Sequence, residues 1–366
     1  MKKTFVLLVV TMLIGTACNN TNTEMNPLLN DFNTPFGVPP FGEIQNEHFM
    51  PALKAAMEMQ NQEIEAITSN TETPDFENTI AALDYSGERL TLASNVFYNL
   101  QSANTSDELQ ALAKEMSPLM SAHRSNISLN ADLFDRINTV YENRSDMDLT
   151  EEQAMLLEKT YKRFVRNGAK LNEEDKDKLR AIDEKLSMLT LEFGDNVLKE
   201  TNEYKMVIEN EADLAGLPEG VISTAAEEAK QSGLDGKWVF TLQKPSWIPF
   251  LTYSENRALR EKLYKAMYNR ANTGNEYDNK EIINEIVNLR IQRAHLLGYN
   301  SHADFILEEN MAENGENVNA LLMKLWKPAI KMAKGEAAMM QEMIDREGED
   351  FKLASWDWWY YAEKIR

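Results

Sequence analysis

Four histidines are the residues best suited to metal or acid–base chemistry in this 366-residue chain: His48, His123, His295 and His302. None begins the pattern His-Glu-x-x-His, which places two zinc ligands on one face of a helix with a catalytic glutamate between them. His295 and His302 are seven residues apart, a spacing that would stack them on one helical face. Gly298 and Ser301 intervene, however, and predict a helix end followed by a new cap. We therefore expect hydrogen-bonded histidines and no metal pair.

Other catalytic patterns are also missing from the sequence. It contains no Gly-x-Ser-x-Gly elbow, no phosphate-binding loop and no dinucleotide fingerprint. Acidic pairs such as Glu227 and Glu228 carry no information in a chain with 59 acidic residues. We therefore predict that these 366 residues hold no catalytic residue and no metal ligand.

The single cysteine, Cys18, follows a segment typical of an export signal. Two lysines supply the positive start, and residues 4–14 form an apolar run too short to cross a membrane. Small residues precede Cys18 as in a bacterial lipobox, although Gly15 stands where leucine is usual. We expect a signal peptide over 1–17 and lipidation of Cys18, because a lone thiol has no disulfide partner in an oxidising compartment. Ordinary cleavage with an incidental cysteine is the alternative.

Apolar residues recur at three- and four-residue spacing from Pro51 onward, which predicts a mostly α fold. The predicted helices are 49–70, 75–103, 106–127, 130–144, 149–167, 172–203, 219–232, 246–253, 255–271, 278–298, 301–312 and 315–347. The clearest apolar stripe predicts core packing and comprises Leu179, Ile182, Leu186, Leu189, Phe193 and Val197. Residues rich in β-branched and aromatic side chains predict a small β element near 205–242.

Four segments follow from these patterns. Residues 1–17 are the expected signal peptide, and the polar, proline-punctuated stretch 18–48 is an expected lipid-anchor tether and surface linker. Residues 49–210 are predicted to form an N-terminal helical subdomain, and 211–366 a second helical segment. The net charge of −21 argues against nucleic acid as a partner, because phosphate binding needs a basic patch.

An aromatic cluster occupies the last part of the sequence. Three tryptophans and two tyrosines fall within the six positions 356–361. Because aromatic residues dominate cores and interfaces while chain termini usually fray, we expect the polypeptide to continue beyond these residues.

Four ordered segments resemble the thimet oligopeptidase family of zinc metallopeptidases. They are 75–90, 164–171 running into 193–198, 279–312, and 356–363. The last of these and the region 214–270 look most like the bacterial peptidyl-dipeptidase, or dipeptidyl carboxypeptidase, branch. The similarity runs from about residue 26 to residue 366 and is that of an N-terminal half.

The resemblance implies one multi-helix lobe of a two-lobed fold with a deep channel. It implies a monomer that holds one zinc ion and releases dipeptides from the C-terminus of short peptides. No zinc ligand or catalytic residue of the family can be placed on these 366 residues, so we expect the ligands further downstream and the fragment to be inactive. The signal segment would make the whole protein a bacterial cell-envelope enzyme, periplasm-facing or an outer-membrane lipoprotein, touching the membrane only through its lipid anchor.

Several roles stay open at the level of sequence. Gly87 and Gly298 would allow turns or close helix packing, and Arg290 is expected to pair with carboxylates across helices. The aromatic cluster would either line the channel or, as we favour, pack the two lobes together. The alternative to a peptidase half is a non-catalytic, all-helical lipoprotein that binds peptides or protein partners.

Overall fold

The computed structural model describes residues 26–366, so the predicted signal peptide and Cys18 lie outside the described residues. The chain divides into two compact units between Ala169 and Lys170. The division predicted at 210/211 lies inside the second unit, because strand residues on either side of that point pair with one another. The predicted mostly α fold with a small β element is confirmed.

Three helices of the first unit begin at polar capping residues. Ser106, Asn130 and Thr150 each accept a hydrogen bond from the backbone N–H three residues later, which satisfies an otherwise unpaired helix donor. The helices are α1 (Phe49–Thr68), α2 (Ala82–Tyr85), α3 (Glu88–Ala103), α4 (Asp107–Ser128), α5 (Ala131–Glu142) and α6 (Glu151–Arg166). A core of buried side chains from α1, α5 and α6 includes Ile64, Ile67, Leu133, Ile137 and Leu157.

The prediction of one helix over 75–103 is wrong. A π-helical turn, Phe76–Ala81, runs into α2, and the chain then breaks at Gly87 before α3. Gly87 has φ of 75°, and its N–H donates to Glu63 Oε2 at 2.7 Å. A Cβ at this position would lie 2.2 Å from Gln60 Nε2. The break therefore depends on both the turn and the close packing that a glycine permits.

Residues 26–48 belong to the first unit and are held to its helices at a few points. Leu28 is fully buried, and Asn26 Nδ2 donates to the carbonyl oxygen of His48 at 2.8 Å. Arg89 in α3 donates to a backbone oxygen of the segment, also at 2.8 Å. The surface course predicted for this segment is thus held by specific contacts to α1 and α3.

The second unit contains the small sheet and the remaining helices. Strands β1 (Lys205–Ile208) and β2 (Trp238–Thr241) pair antiparallel, with Lys205 opposite Thr241 and Ile208 opposite Trp238. The helices are α7 (Glu173–Glu203), α8 (Glu219–Gln231), α9 (Lys244–Tyr253), α10 (Arg257–Tyr268), α11 (Lys280–Leu296), α12 (His302–Leu307), α13 (Gly315–Arg346) and α14 (Trp358–Ile365). The sheet packs against α8, α9 and α10, and Phe240 and Phe250 meet edge-to-face with 4.6 Å between their ring centroids.

The apolar stripe predicted on α7 packs against α11. Leu189 forms a buried cluster with Ile282, Ile286 and Leu289, and two partly buried residues of the stripe, Ile182 and Leu186, join it. Phe193, further along the same stripe, is exposed. Among residues 26–366, no helix combines the length and the apolar character that a bilayer span requires.

Candidate functional site

Three of the four histidines each form a hydrogen bond within their own unit. His123 Nε2 donates to Gln60 Oε1 at 2.7 Å, and His295 Nε2 donates to the carbonyl oxygen of Asn300 at 3.1 Å. The ring of His48 accepts a backbone N–H at 3.0 Å. Burial, and to a smaller degree the charge of Arg124, lower the pKa of His123, so this ring is a neutral hydrogen-bonding group.

The described residues do not fit a zinc ion. Zinc sites need three or four nitrogen, sulfur or carboxylate ligands around one point. Residues 26–366 contain no group of three histidine, cysteine or acidic side chains able to hold a metal. As predicted, α11 ends before Gly298, which has φ of 86°, and Ser301 caps α12 by accepting from the N–H of Asp304 at 3.1 Å.

Residues 351–361, which include the aromatic cluster, are called the aromatic segment. A buried ion cluster in the second unit is the most specific polar arrangement near it. We call it the Asp357 anchor, and it comprises Arg257, Arg260 and Asp357. Arg257 donates from Nε at 3.1 Å to Oδ1 and from Nη2 at 2.9 Å to Oδ2 of Asp357. Arg260 Nη2 donates to Oδ1 at 2.9 Å. Asp357 is fully buried, and so is nearly all of the Arg260 side chain.

Local structure places these three side chains. Arg257 and Arg260 are three residues apart on α10 and therefore project from the same face. Asn256 caps this helix by accepting from the N–H of Leu259 at 3.2 Å. Asp357 ends a 3-10 turn and accepts from the N–H of Ala354 at 3.0 Å.

The anchor gives a buried carboxylate two guanidinium partners. Arg260 Nη1 also donates to the carbonyl oxygen of Ser254 at 2.7 Å, which ties the start of α10 to the end of α9. Charge-assisted bonds of this kind are stronger than neutral ones, but removing one partner leaves a buried charge uncompensated. The Asp357 anchor therefore determines where the aromatic segment attaches to the unit.

Aromatic rings surround the anchor. The guanidinium carbon of Arg257 lies 4.0 Å from the ring centroid of Phe351, and that of Arg260 lies 4.2 Å from Tyr360. Trp359 meets Trp247 of α9 edge-to-face at 5.8 Å between centroids. The aromatic segment thus packs against α9 and α10 of its own unit. The predicted alternatives for this segment, lining a channel or packing two lobes together, remain predictions.

A second contact joins α14 to the end of α13. Tyr361 Oη donates to Glu347 Oε2 at 3.2 Å, and Lys364 Nζ donates to Oε1 of the same carboxylate at 2.7 Å. Burial, together with the Glu347 carboxylate, raises the pKa of Tyr361 to about 12. The tyrosine is therefore a neutral hydrogen-bond donor at ordinary pH.

An open cleft of about 480 Å³ lies beside α14. Its lining residues are Thr252, Tyr253, Trp358, Trp359, Ala362, Glu363 and Arg366. The volume is within the range of small-ligand pockets, and the walls combine aromatic rings with one acidic and one basic group. These groups can bind a ligand, but they include neither a nucleophile with an adjacent base nor a set of metal ligands.

Sequence reasoning missed the Asp357 anchor. The three-residue spacing of Arg257 and Arg260 was a usable signal, but it did not indicate a partner about a hundred residues away. Arg290 was expected to pair with a carboxylate across helices. A pair of this kind is made by Arg293 of α11, whose Nε donates to Asp183 Oδ1 of α7 at 2.6 Å.

Comparison with known protein families identifies a match for the part of the sequence that contains this site. Residues 250–366, which contain the Asp357 anchor and the cleft, match the profile of Peptidase family M3. The resemblance drawn from the sequence motifs is thereby confirmed: residues 250–366 are similar to the M3 peptidases.

Individual relatives extend the similarity over nearly the whole chain. Dipeptidyl carboxypeptidase of Escherichia coli K12 is 37% identical over 94% of this chain, and the namesake protein of Salmonella typhimurium is 32% identical over 93%. Oligopeptidase A of Haemophilus influenzae is 33% identical over 93%. In each case the match covers 50% of the relative, so this chain spans about half the length of the curated relatives it matches.

Proposed function

We propose that these 366 residues are the N-terminal half of an exported zinc metallopeptidase that releases dipeptides from the C-terminus of short peptides. The observation that carries the proposal is the 37% identity to a dipeptidyl carboxypeptidase over 94% of this chain and 50% of the relative. The match of residues 250–366 to Peptidase family M3 supports the same class independently of any one relative.

The metal site of the whole protein would lie in the half that this chain does not span. The support is twofold: the sequence has no His-Glu-x-x-His, and residues 26–366 bring no three candidate ligands together. The 366 residues would then contribute a scaffold and part of the substrate-binding surface, while the 366-residue chain by itself would be inactive. Short peptides are the proposed substrates, and the full-length enzyme would act as a monomer.

Export and lipidation are proposals that rest on sequence alone. The positive start, the apolar run of residues 4–14 and the lone Cys18 are typical of a lipoprotein signal. We propose that the mature protein begins at an acylated Cys18 and faces the periplasm or is attached to the outer membrane. Labelling cells with a radioactive fatty acid, with Cys18→Ala as the unlabelled control, tests this part.

The activity is tested by comparing two proteins on a tripeptide with a blocked N-terminus. One is the 366-residue chain, and the other continues through the downstream reading frame. We expect dipeptide release only by the longer protein, with loss of release on chelation and recovery when zinc is restored. Chelator-sensitive release by the 366-residue chain would contradict the placement of the zinc site. A longer protein without activity that retains peptides would support the non-catalytic lipoprotein instead.

A further inference from the structure

The first half of α13 carries an apolar surface that its own unit does not cover. Leu321, Leu325, Pro328 and Met332 are spaced by four, three and four residues, so they lie along one face of the helix. All four are exposed, Leu325 by 57% and Met332 by 65%. We call these four residues the α13 stripe. A contiguous exposed apolar surface of this kind marks an interaction site.

The second half of the same helix shows what a covered apolar face looks like in this unit. Met340 and Ile344 are buried in a cluster with Tyr361 of α14. The helix therefore passes from an uncovered half to a covered half without interruption. Because Pro328 lacks a backbone N–H, the uncovered half also has one intrahelical hydrogen bond fewer.

One flank of the uncovered half, to one side of the α13 stripe, is basic. Lysines recur there at three- and four-residue spacing, and they are Lys324, Lys327, Lys331 and Lys334. All of them are exposed. A partner that covers the α13 stripe can therefore leave this lysine flank in water.

We propose that the α13 stripe is the docking surface for the half of the M3 peptidase that follows these residues in the relatives. This rests on the proposed function, and it names the partner and the contact. The relatives place a second half of similar length on the same polypeptide, since this chain covers 94% of its own length but 50% of theirs. A covalently linked partner has a high effective concentration, which favours it over a second copy of the chain.

A second uncovered face supports a large partner. Ile283, Val287 and Ile291 are spaced by four residues on α11, and all three are exposed, whereas the opposite face of that helix packs against α7. Both uncovered faces belong to the second unit, which also contains the segment that matches the peptidase family. One helix-sized ligand would cover one such face, whereas a second half of similar length has surface enough for both.

The test measures backbone amide exchange of residues 317–334 in the 366-residue chain and in the protein that continues through the downstream frame. We expect exchange at least tenfold slower in the longer protein. The longer protein is also made with Leu325→Asp and, as a matched control, with Met323→Asp. Met323 is 55% exposed on the same helix but lies away from the stripe. We expect Leu325→Asp to abolish the added protection and Met323→Asp to retain it.

Several outcomes would overturn the proposal. Equal exchange in the two proteins, or a downstream frame that encodes no second half, would refute it directly. Protection in the 366-residue chain that rises with protein concentration would assign the stripe to a second copy. Protection that appears only with anionic vesicles would assign it to a membrane surface, for which a helix with apolar and basic faces is suited. Because the readout is independent of catalysis, an inactive longer protein with a protected α13 would refute only the proposed activity.

Discussion

The aromatic segment 351–361 and the first half of α13 are both rich in apolar residues, but the unit covers only one of them. The aromatic segment is attached by the fully buried Asp357 and by Tyr361, and its rings contact α9 and α10. The first half of α13 has the larger run of exposed side chains, and none of its apolar residues from 321 to 329 is buried. Apolar composition alone therefore does not decide which segment a unit covers; the long-range contacts that each segment makes decide it.

The largest expected effect comes from removing the carboxylate of the Asp357 anchor. In Asp357→Ala, Arg260 stays buried without its charged partner, and we expect a loss of about 3–5 kcal/mol in the free energy of unfolding. Urea unfolding of the 366-residue chain, followed by tryptophan fluorescence, measures the change.

The matched control for the anchor is an exposed ion pair in the same unit. Glu342 and Arg346 are four residues apart on α13 and lie 2.6 Å from one another with both side chains exposed. Glu342→Ala should cost about 0.3–0.5 kcal/mol. If Asp357→Ala cost no more than Glu342→Ala, the aromatic segment would not depend on the anchor, and the contrast with α13 would fail.

The next effect compares two methionines on one helix. Met340 is 1% exposed and Met332 is 65% exposed. In the 366-residue chain, Met340→Ala should lower the free energy of unfolding by about 2–5 kcal/mol because it opens a cavity. Met332→Ala should change it by less than about 0.5 kcal/mol. Thermal unfolding of both variants provides the measurement, and a comparable loss in the two would show that the α13 stripe is covered in the isolated chain.

The smallest effect concerns the pH dependence of the Tyr361 contact. The folded state raises the pKa of Tyr361 from 10.0 to about 12, so the folded protein holds this proton more tightly than the unfolded chain does. The resulting stabilisation is fully present below pH 10 and is lost as the pH rises from 10 through 12. Between pH 8 and pH 11.5, the free energy of unfolding measured with denaturant should therefore fall more steeply for the unmodified chain than for Tyr361→Phe. If the free energy of unfolding changed with pH in the same way for both proteins, the Tyr361–Glu347 hydrogen bond would not contribute to holding α14.

Helix limits were predictable where they depend on neighbouring residues. The predicted helices 172–203 and 149–167 match α7 and α6 to within two residues at each end. Asn172 caps α7 by accepting from the N–H of Asp175 at 2.9 Å, and Gly168, with φ of 90°, follows the end of α6. The small β element near 205–242 was also predicted from local composition, and the structure shows it as the pair β1 and β2. Gly87 was recognised as a residue that would allow a turn or close packing, yet a continuous helix was predicted over 75–103. The break was missed in part because Gln60 and Glu63, which approach Gly87, belong to another helix.

The candidate site was predictable only in part. The aromatic segment was recognised from its composition, and the family from four ordered motifs. The residues that hold the segment, Arg257 and Arg260, were not recognised, because nothing in the sequence near α10 specifies a carboxylate about a hundred positions away.

The sequence by itself determined the helical periods, the helix end at Gly298 with the cap at Ser301, the small β element and the resemblance to a peptidase family, because these depend on residues within a few positions of one another. Only the tertiary structure decided that Asp357 is buried between two arginines and that one half of α13 is covered while the other is exposed. The apolar spacing is similar along both halves of that helix, so its pattern indicates a face that must be buried but not the surface that buries it. That choice depends on long-range contacts, which a periodic pattern does not encode.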